Sequence, residues 1–150
     1  MVRRAMTLME CLVAMVVLTI SAAIMASSVQ AGLAAQEDAL AMTLAGTAAE
    51  SRISDYLARS YETIAAVDVT EAIGTMTSLS GDAFSGSYGR LGRRTHVTSA
   101  NLTVPDFPGL LVPGYLIDVT VFDTWAGAQR KLVSLQRFRP RTIEESGVTP

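Results

Sequence analysis

A single carboxylate inside a long apolar run constrains this chain more than any other feature. Residues 6–29 contain no Pro, no Gly and no charge except Glu10. With nothing to break it, such a run is expected to be helical, and at ~1.5 Å per residue it reaches about 36 Å, enough to cross a hydrocarbon core of about 30 Å. A carboxylate in such a segment costs on the order of 2.5–3.5 kcal/mol at the centre and less where it reaches the interface. An ionisable group retained there marks a functional position that needs a partner. Two arginines, Arg3 and Arg4, stand in front of the run. Basic residues stay on the cytoplasmic side of a membrane, which puts the carboxy-terminal bulk of the chain outside it.

The residues Arg3-Arg4-Ala5-Met6-Thr7-Leu8-Met9-Glu10, continued by Leu12-Val13-Ala14, resemble the amino-terminal signature of the type IV pilin superfamily. That signature is a short basic leader, a small residue before the cut, an aromatic residue or Met, Thr-Leu, one further residue, Glu, and a long apolar run. Ala5 takes the place of the usual Gly. The resemblance is specific over about 25 residues. It implies cleavage between Ala5 and Met6 by a prepilin peptidase, methylation of the new amine on Met6, and assembly into a filament through the helix. Glu10, the fifth residue of the mature chain, would then meet the terminal amine of a neighbouring subunit; within one chain the two groups lie four residues apart on one helix face. Arg3 and Arg4 would be the leader charges.

The fold the resemblance implies is α+β and pilin-like: a long N-terminal α-helix, transmembrane in its first half, packed on a small antiparallel β-sheet head. The implied partners are the prepilin peptidase/methyltransferase, other pilin or pseudopilin subunits and the inner membrane, with the head extracytoplasmic and later in a filament at the cell surface or in the periplasm. Major subunits often carry Gly and Pro in the first half of the helix. Here Thr19 and Ser27-Ser28 stand near those places, in the manner of a minor subunit. The filament could serve pilus biogenesis, protein secretion or DNA uptake. Two other readings remain open: a single-pass anchored extracytoplasmic binding protein, and a secreted protein with an ordinary signal peptide cut after Ala26 or Ala31. Glu10 opposes the latter, because the apolar core of a signal peptide is uncharged.

Composition narrows the classes further. At 150 residues the chain is expected to be a single domain, and the apolar segment cannot belong to its water-soluble core. The net charge of −2 is too small to imply a nucleic-acid or membrane-surface partner. The one cysteine, Cys11, lies in the apolar run, so it can form no intrachain disulfide and is expected to be a small packing residue.

Four segments are expected: a leader at 1–5, a transmembrane and filament-core helix at 6–29, an amphipathic helical extension at 30–66, and a small β-rich head at 67–150. In the extension, Leu33, Leu40, Leu44, Ala48, Ile53, Leu57, Tyr61 and Ile64 recur mostly at helical spacing. This stripe is expected to be the seam with the head. Glu37, Asp38, Glu50, Arg52, Asp55, Arg59 and Glu62 largely take the other faces, with Asp55 and Arg59 at an i,i+4 spacing that supports the helix by about 0.3–0.5 kcal/mol. Gly32 and Gly46 mark weak points or close contacts. The whole would be one helix of about 60 residues, about 90 Å long.

After Ala66 the composition shifts. Residues 67–70 begin a short strand, and the glycines from Gly74 to Gly92 indicate a long irregular surface loop. The pattern around Gly86-Ser87-Tyr88-Gly89 lacks the context of a phosphate-binding loop. Arg90, Arg93, Arg94 and His96 form the basic cluster of the head. As a solvated loop they would pair with acidic neighbours in the fibre; contact with nucleic-acid phosphates through Arg90, Arg93 and Arg94 is the less favoured reading. Pro105, Pro108, Gly109, Pro113 and Gly114 make a turn-rich connection. Residues 115–122 are the best strand, with Ile117, Val119 and Val121 facing one way and Asp118 and Thr120 the other. A turn at 123–128 leads into a return strand at 129–138, whose Val133 and Leu135 match the buried face. Residues 139–150 read as a frayed tail. No nucleophile–base pair, metal-ligand cluster or paired acids stand out, so no catalytic, cofactor or metal residue is expected and the protein is read as a building block, not an enzyme.

Overall fold

The computed structural model describes residues 8–78, 80–84, 86–107 and 109–141. The leader charges Arg3 and Arg4, the cleavage pair Ala5 and Met6, and the tail from 142 onward lie outside these described residues. The architecture is α+β: helix α1, Leu8–Ala58, is followed by four strands, β1 Val67–Glu71, β2 Leu91–Thr103, β3 Leu111–Trp125 and β4 Ala128–Pro140. The strands form one antiparallel sheet in the order β1-β2-β3-β4. The chain divides into two compact units, Met1–Leu40 and Ala41–Pro150.

In the first unit, α1 is exposed along its length and rich in large apolar side chains: Leu8, Met9, Leu12, Val13, Met15, Val16, Val17, Leu18, Ile20, Ile24, Met25 and Val29 all face solvent. It is long and apolar enough to cross a membrane. Its hydroxyl side chains are internally satisfied. Thr19 Oγ1 donates to the Val16 carbonyl at 2.8 Å, Ser21 Oγ to Val17 at 2.8 Å, and Ser27 and Ser28 Oγ to Ile24 at 2.8 and 2.9 Å. Hydroxyls that back-bond to the preceding turn cost little in an apolar medium, because no polar group is left bare.

In the second unit, the helix buries Ala41, Ala45, Ala48, Ala49, Ile53 and Tyr56. The expected seam is therefore corrected. Leu33, Leu40 and Leu57 are exposed, and the packed face is mostly alanine. Small side chains let the helix backbone approach the sheet, whose Leu91, Val97, Ile117, Val119 and Val121 supply the bulk of the core. Of the expected stripe, Ala48, Ile53 and Ile64 do lie in the core and Leu44 packs against it; Ala41, Ala45, Ala49 and Tyr56 join the buried face that apolar size alone does not pick out.

The helix also ends earlier than expected, at Ala58 and not near residue 66. Ser60 turns extended (φ −63°, ψ 146°) and a single 3₁₀ turn, Tyr61–Thr63, follows. This carries Ile64 into the core at 3 % exposure. No Gly or Pro announces the stop. The last helical carbonyls are instead taken by Arg139 of β4, whose Nη1 donates to the Tyr56 oxygen at 2.9 Å and to the Arg59 oxygen. A cation at a helix C-terminus satisfies orphan carbonyls and complements the dipole. Residues 139 and 140 thus belong to β4 and not to a frayed tail.

The hairpin of β3 and β4 follows the expected alternation. Ile117, Val119 and Val121 are fully buried, and Val133 and Leu135 pair opposite Val121 and Val119. A bulge between Val121 and Phe122 inserts Leu132, so Phe122 pairs with Lys131. The turn is tighter than expected: only Ala126 (φ 50°) and Gly127 (φ 81°) connect Trp125 to Ala128, a two-residue connection whose left-handed residues match the twist of the flanking strands. Pro113 and Gly114, read as part of the connection, lie within β3. A side chain at Gly114 would overlap the Arg139 carbonyl oxygen and the Phe138 ring, which is why glycine stands in the middle of a strand.

The stretch between β1 and β2 is not merely a surface loop. Thr77 bridges Ala83, Phe84 N donates to the Met76 carbonyl at 2.9 Å, and Met76 is buried at 1 % exposure. A 3₁₀ helix, Gly86–Arg90, leads directly into β2, with the Phe84 and Tyr88 rings 4.9 Å apart.

Candidate functional site

The first-unit site is the face around Glu10. Glu10 lies in the first described turn of α1 and is exposed. Met9, Glu10, Val13, Ala14, Val17, Leu18 and Ser21 line one shallow concavity on the helix. Glu10 is therefore the one ionisable side chain on a surface otherwise built from apolar and self-bonded residues. Met6, which the sequence pairs with it, lies outside the described residues.

In the second unit, the expected basic cluster is taken apart by the sheet. Leu91, Arg93, Thr95 and Val97 point inward along β2, and all are buried. Arg93, at 1 % exposure, is thus part of the interior and not of a solvated loop. Its Nε donates to Glu71 Oε2 at 2.6 Å and its Nη2 to Oε1 at 3.0 Å. Nη1 reaches the Ala48 carbonyl at 3.1 Å and Nη2 the Thr77 carbonyl at 2.8 Å. One guanidinium therefore joins helix, edge strand and loop. Arg52 Nη2 adds a 3.2 Å bond to Glu71 Oε2, and Thr77 N a 3.0 Å bond to Oε1. Arg52 also faces Asp55 at 3.6 Å, which Arg59 grips at 2.7 Å as its i,i+4 spacing foretold. The result is an alternating chain of charges, Arg93, Glu71, Arg52, Asp55 and Arg59. Burial pushes the Glu71 carboxyl up, but the hydrogen bonds from Arg93 and Thr77 and the charges of Arg93 and Arg52 outweigh it and hold it below its ordinary value.

The other two arginines of the cluster face different carboxylates. Arg94 points to the outer face of the sheet and forks Asp68 at 3.0 and 2.6 Å, and that hydrogen-bonded pairing holds the Asp68 carboxyl low. Arg90 stands 3.7 Å from Asp123. Asp123 is itself forked by Arg130 at 3.1 and 2.8 Å, which holds its carboxyl low. Arg93 is unavailable to phosphates. The sequence hid this because residues 90–94 read as loop; starting a period-2 pattern at Leu91 places Arg93 on the buried face beside Thr95 and Val97.

On the outer face, register aligns Asp68, His96, Asp118 and Gln136 in one row across all four strands. His96 Nδ1 lies 3.7 Å from Asp68 Oδ2. Arg94, His96, Thr98, Leu116, Asp118, Thr120 and Gln136 line a groove of about 300 Å³. Among the described residues no group of three His, Cys, Asp or Glu side chains is placed to hold a metal ion. Cys11 is an exposed free thiol on the apolar helix.

Compared with protein-family models, curated proteins and solved structures, the chain matches none. What is established is the class: a long, apolar, membrane-competent N-terminal helix followed by a four-stranded antiparallel sheet.

Proposed function

We propose that this chain is a type IV pilin-like structural subunit, a minor pilin or pseudopilin, that enters an extracytoplasmic filament through its N-terminal helix. The observation that carries the reading is Glu10: the single carboxylate between Leu8 and Val29, placed in the first described turn of a long, exposed, apolar helix that could cross a membrane. A carboxylate in lipid is costly, and pairing it with a positive charge offsets the cost. The mature amine on Met6 of a neighbouring subunit is that charge. Cleavage between Ala5 and Met6 would expose the amine, and Arg3 and Arg4 would hold the leader on the cytoplasmic side of the inner membrane until then. The protein is in this reading a substrate and a component, not a catalyst. Its partners are the prepilin peptidase and other subunits of a pilus, a secretion pseudopilus or a DNA-uptake filament.

The test is the intact mass and N-terminal sequence of the membrane-extracted protein, with and without a prepilin peptidase. The expected product begins at N-methylated Met6, and Glu10→Ala is expected to leave processing intact while abolishing incorporation into sheared filaments. A chain that retains Met1 would be a plain membrane anchor. A chain beginning at Ser27 or Gly32 would be a secreted protein, and the role given to Glu10 would be refuted.

A further inference from the structure

We infer that the head carries two complementary surfaces and docks head-to-tail on a second copy of this chain, with the tip of the β2–β3 ribbon entering a groove between α1 and β4. The first surface is the ribbon. Past Pro113, whose carbonyl accepts a hydrogen bond from Arg141 N at 2.9 Å, the register pairs Leu102–Val112 and Thr103–Leu111 have no third strand among the described residues. A two-stranded ribbon is marginal in water without a further surface to pack on. This one nevertheless exposes Leu102, Phe107, Leu110 and Leu111 at 45, 64, 51 and 56 %. Its connection is held by its own backbone, with Val104 N on the Leu110 oxygen and Leu110 N on the Phe107 oxygen at 3.2 and 3.0 Å. A pre-ordered apolar tip loses little entropy on docking.

The second surface is a groove of about 540 Å³ lined by Glu50, Ile53, Ser54 and Leu57 of α1 and Leu135, Gln136 and Arg137 of β4. Its size is in the range of sites that take a few large side chains. Ile53, Leu57 and Leu135 are its apolar lining, and Glu50 and Arg137 its charged lining. Asp106 is the single charge between residues 99 and 113, and neither it nor Arg137 has an ion-pair partner among the described residues. The occupant is therefore the ribbon of another copy, with Phe107 and Leu110 over Ile53, Leu57 and Leu135 and Asp106 facing Arg137. Because the two patches differ, the contact is heterologous and passes from copy to copy beyond a two-fold dimer. This rests on the filament reading only in supposing that the copies meet at all.

The experiment uses the full chain in its membrane, in a Cys11→Ser background, with Phe107→Cys and Leu57→Cys alone and together under mild oxidation. The pair is expected to give a disulfide ladder of dimers, trimers and higher species, and each single variant to give none. Dimers from Phe107→Cys alone would mean that ribbon meets ribbon and would overturn the inference. So would the absence of any ladder from the pair. Asp106→Arg or Arg137→Asp is expected to lower the ladder yield about fivefold, and the double exchange to restore it; yields untouched by either exchange would remove the stated pairing and with it the choice of groove. The mass of the same sample reports processing at Met6, so a failed contact and a failed filament reading are read separately.

Discussion

Glu71→Gln tests the energetics of the head most sharply. The substitution keeps the shape of the side chain and removes one charge from a site where Arg93 is 1 % and Arg52 14 % exposed. Five hydrogen bonds converge on the two carboxylate oxygens, two from Arg93, one from Arg52 and two from Thr77. An amide can accept on one side only and turns its NH₂ towards donors on the other. Breaking a buried ion pair by removing one partner costs about 3–5 kcal/mol, since the remaining charge is stranded. Against a total stability of about 5–15 kcal/mol that is a large share. With a urea dependence of about 1.5 kcal/mol/M, the midpoint falls by about 2–3 M. The assay is urea unfolding of the detergent-solubilised full chain, followed by amide exchange in β1 and β2. Removing the stranded charge as well, in Glu71→Gln with Arg93→Met, is expected to cost less than the sum of the single changes, because the two residues are in contact. The pH dependence has a definite sign. The Glu71 carboxyl is held below its ordinary value in the folded head, so its contribution is fully present above the ordinary carboxylate range of about 4.3 and is lost as pH falls through the lowered value. The gap between wild type and Glu71→Gln should therefore shrink in acid. A midpoint shift under about 0.5 M at neutral pH would refute the reasoning.

Other changes separate buried from exposed pairing. Gly114→Ala is expected to cost about 1–3 kcal/mol, measured by thermal unfolding, since its Cβ would overlap the Arg139 carbonyl and the Phe138 ring and force β3 and β4 apart. Arg139→Ala should cost about 1.5–3 kcal/mol and raise amide exchange in the last turn of α1, because the Tyr56 and Arg59 carbonyls lose their donor. Arg94→Ala, by contrast, removes a fork to Asp68 that is open to solvent and screened; the urea midpoint is expected to stay where it is, and a clear drop would show that the outer face contributes to stability.

What could be read from residue order was whatever depends on local periodicity and on the solvent. The apolar run is helical because no breaker interrupts it, and its length and apolar composition are enough to cross a membrane. The alternation of Ile117, Val119 and Val121 named the buried face of β3, because side chains alternate across a strand whatever it pairs with. Asp55 and Arg59 meet because a helix puts i and i+4 together. Three features needed the tertiary structure. The seam of α1 keeps Ala48, Ile53 and Leu44 of the expected stripe but runs mainly through Ala41, Ala45 and Ala49 and leaves Leu57 exposed, because the bulk of the core comes from the sheet. The helix stops at Ala58 because Arg139, 83 residues from Tyr56, takes its carbonyls and Ile64 is drawn inward. Arg93, Arg90 and Arg94, close in sequence, answer to Glu71, Asp123 and Asp68 because the register sets Glu71 beside Arg93 and Asp123 beside Leu91, while strand alternation turns Arg94 to the outer face with Asp68. Hydrophobic periodicity is a property of the chain, whereas the partner of a charge and the depth of a side chain are properties of the packed layers.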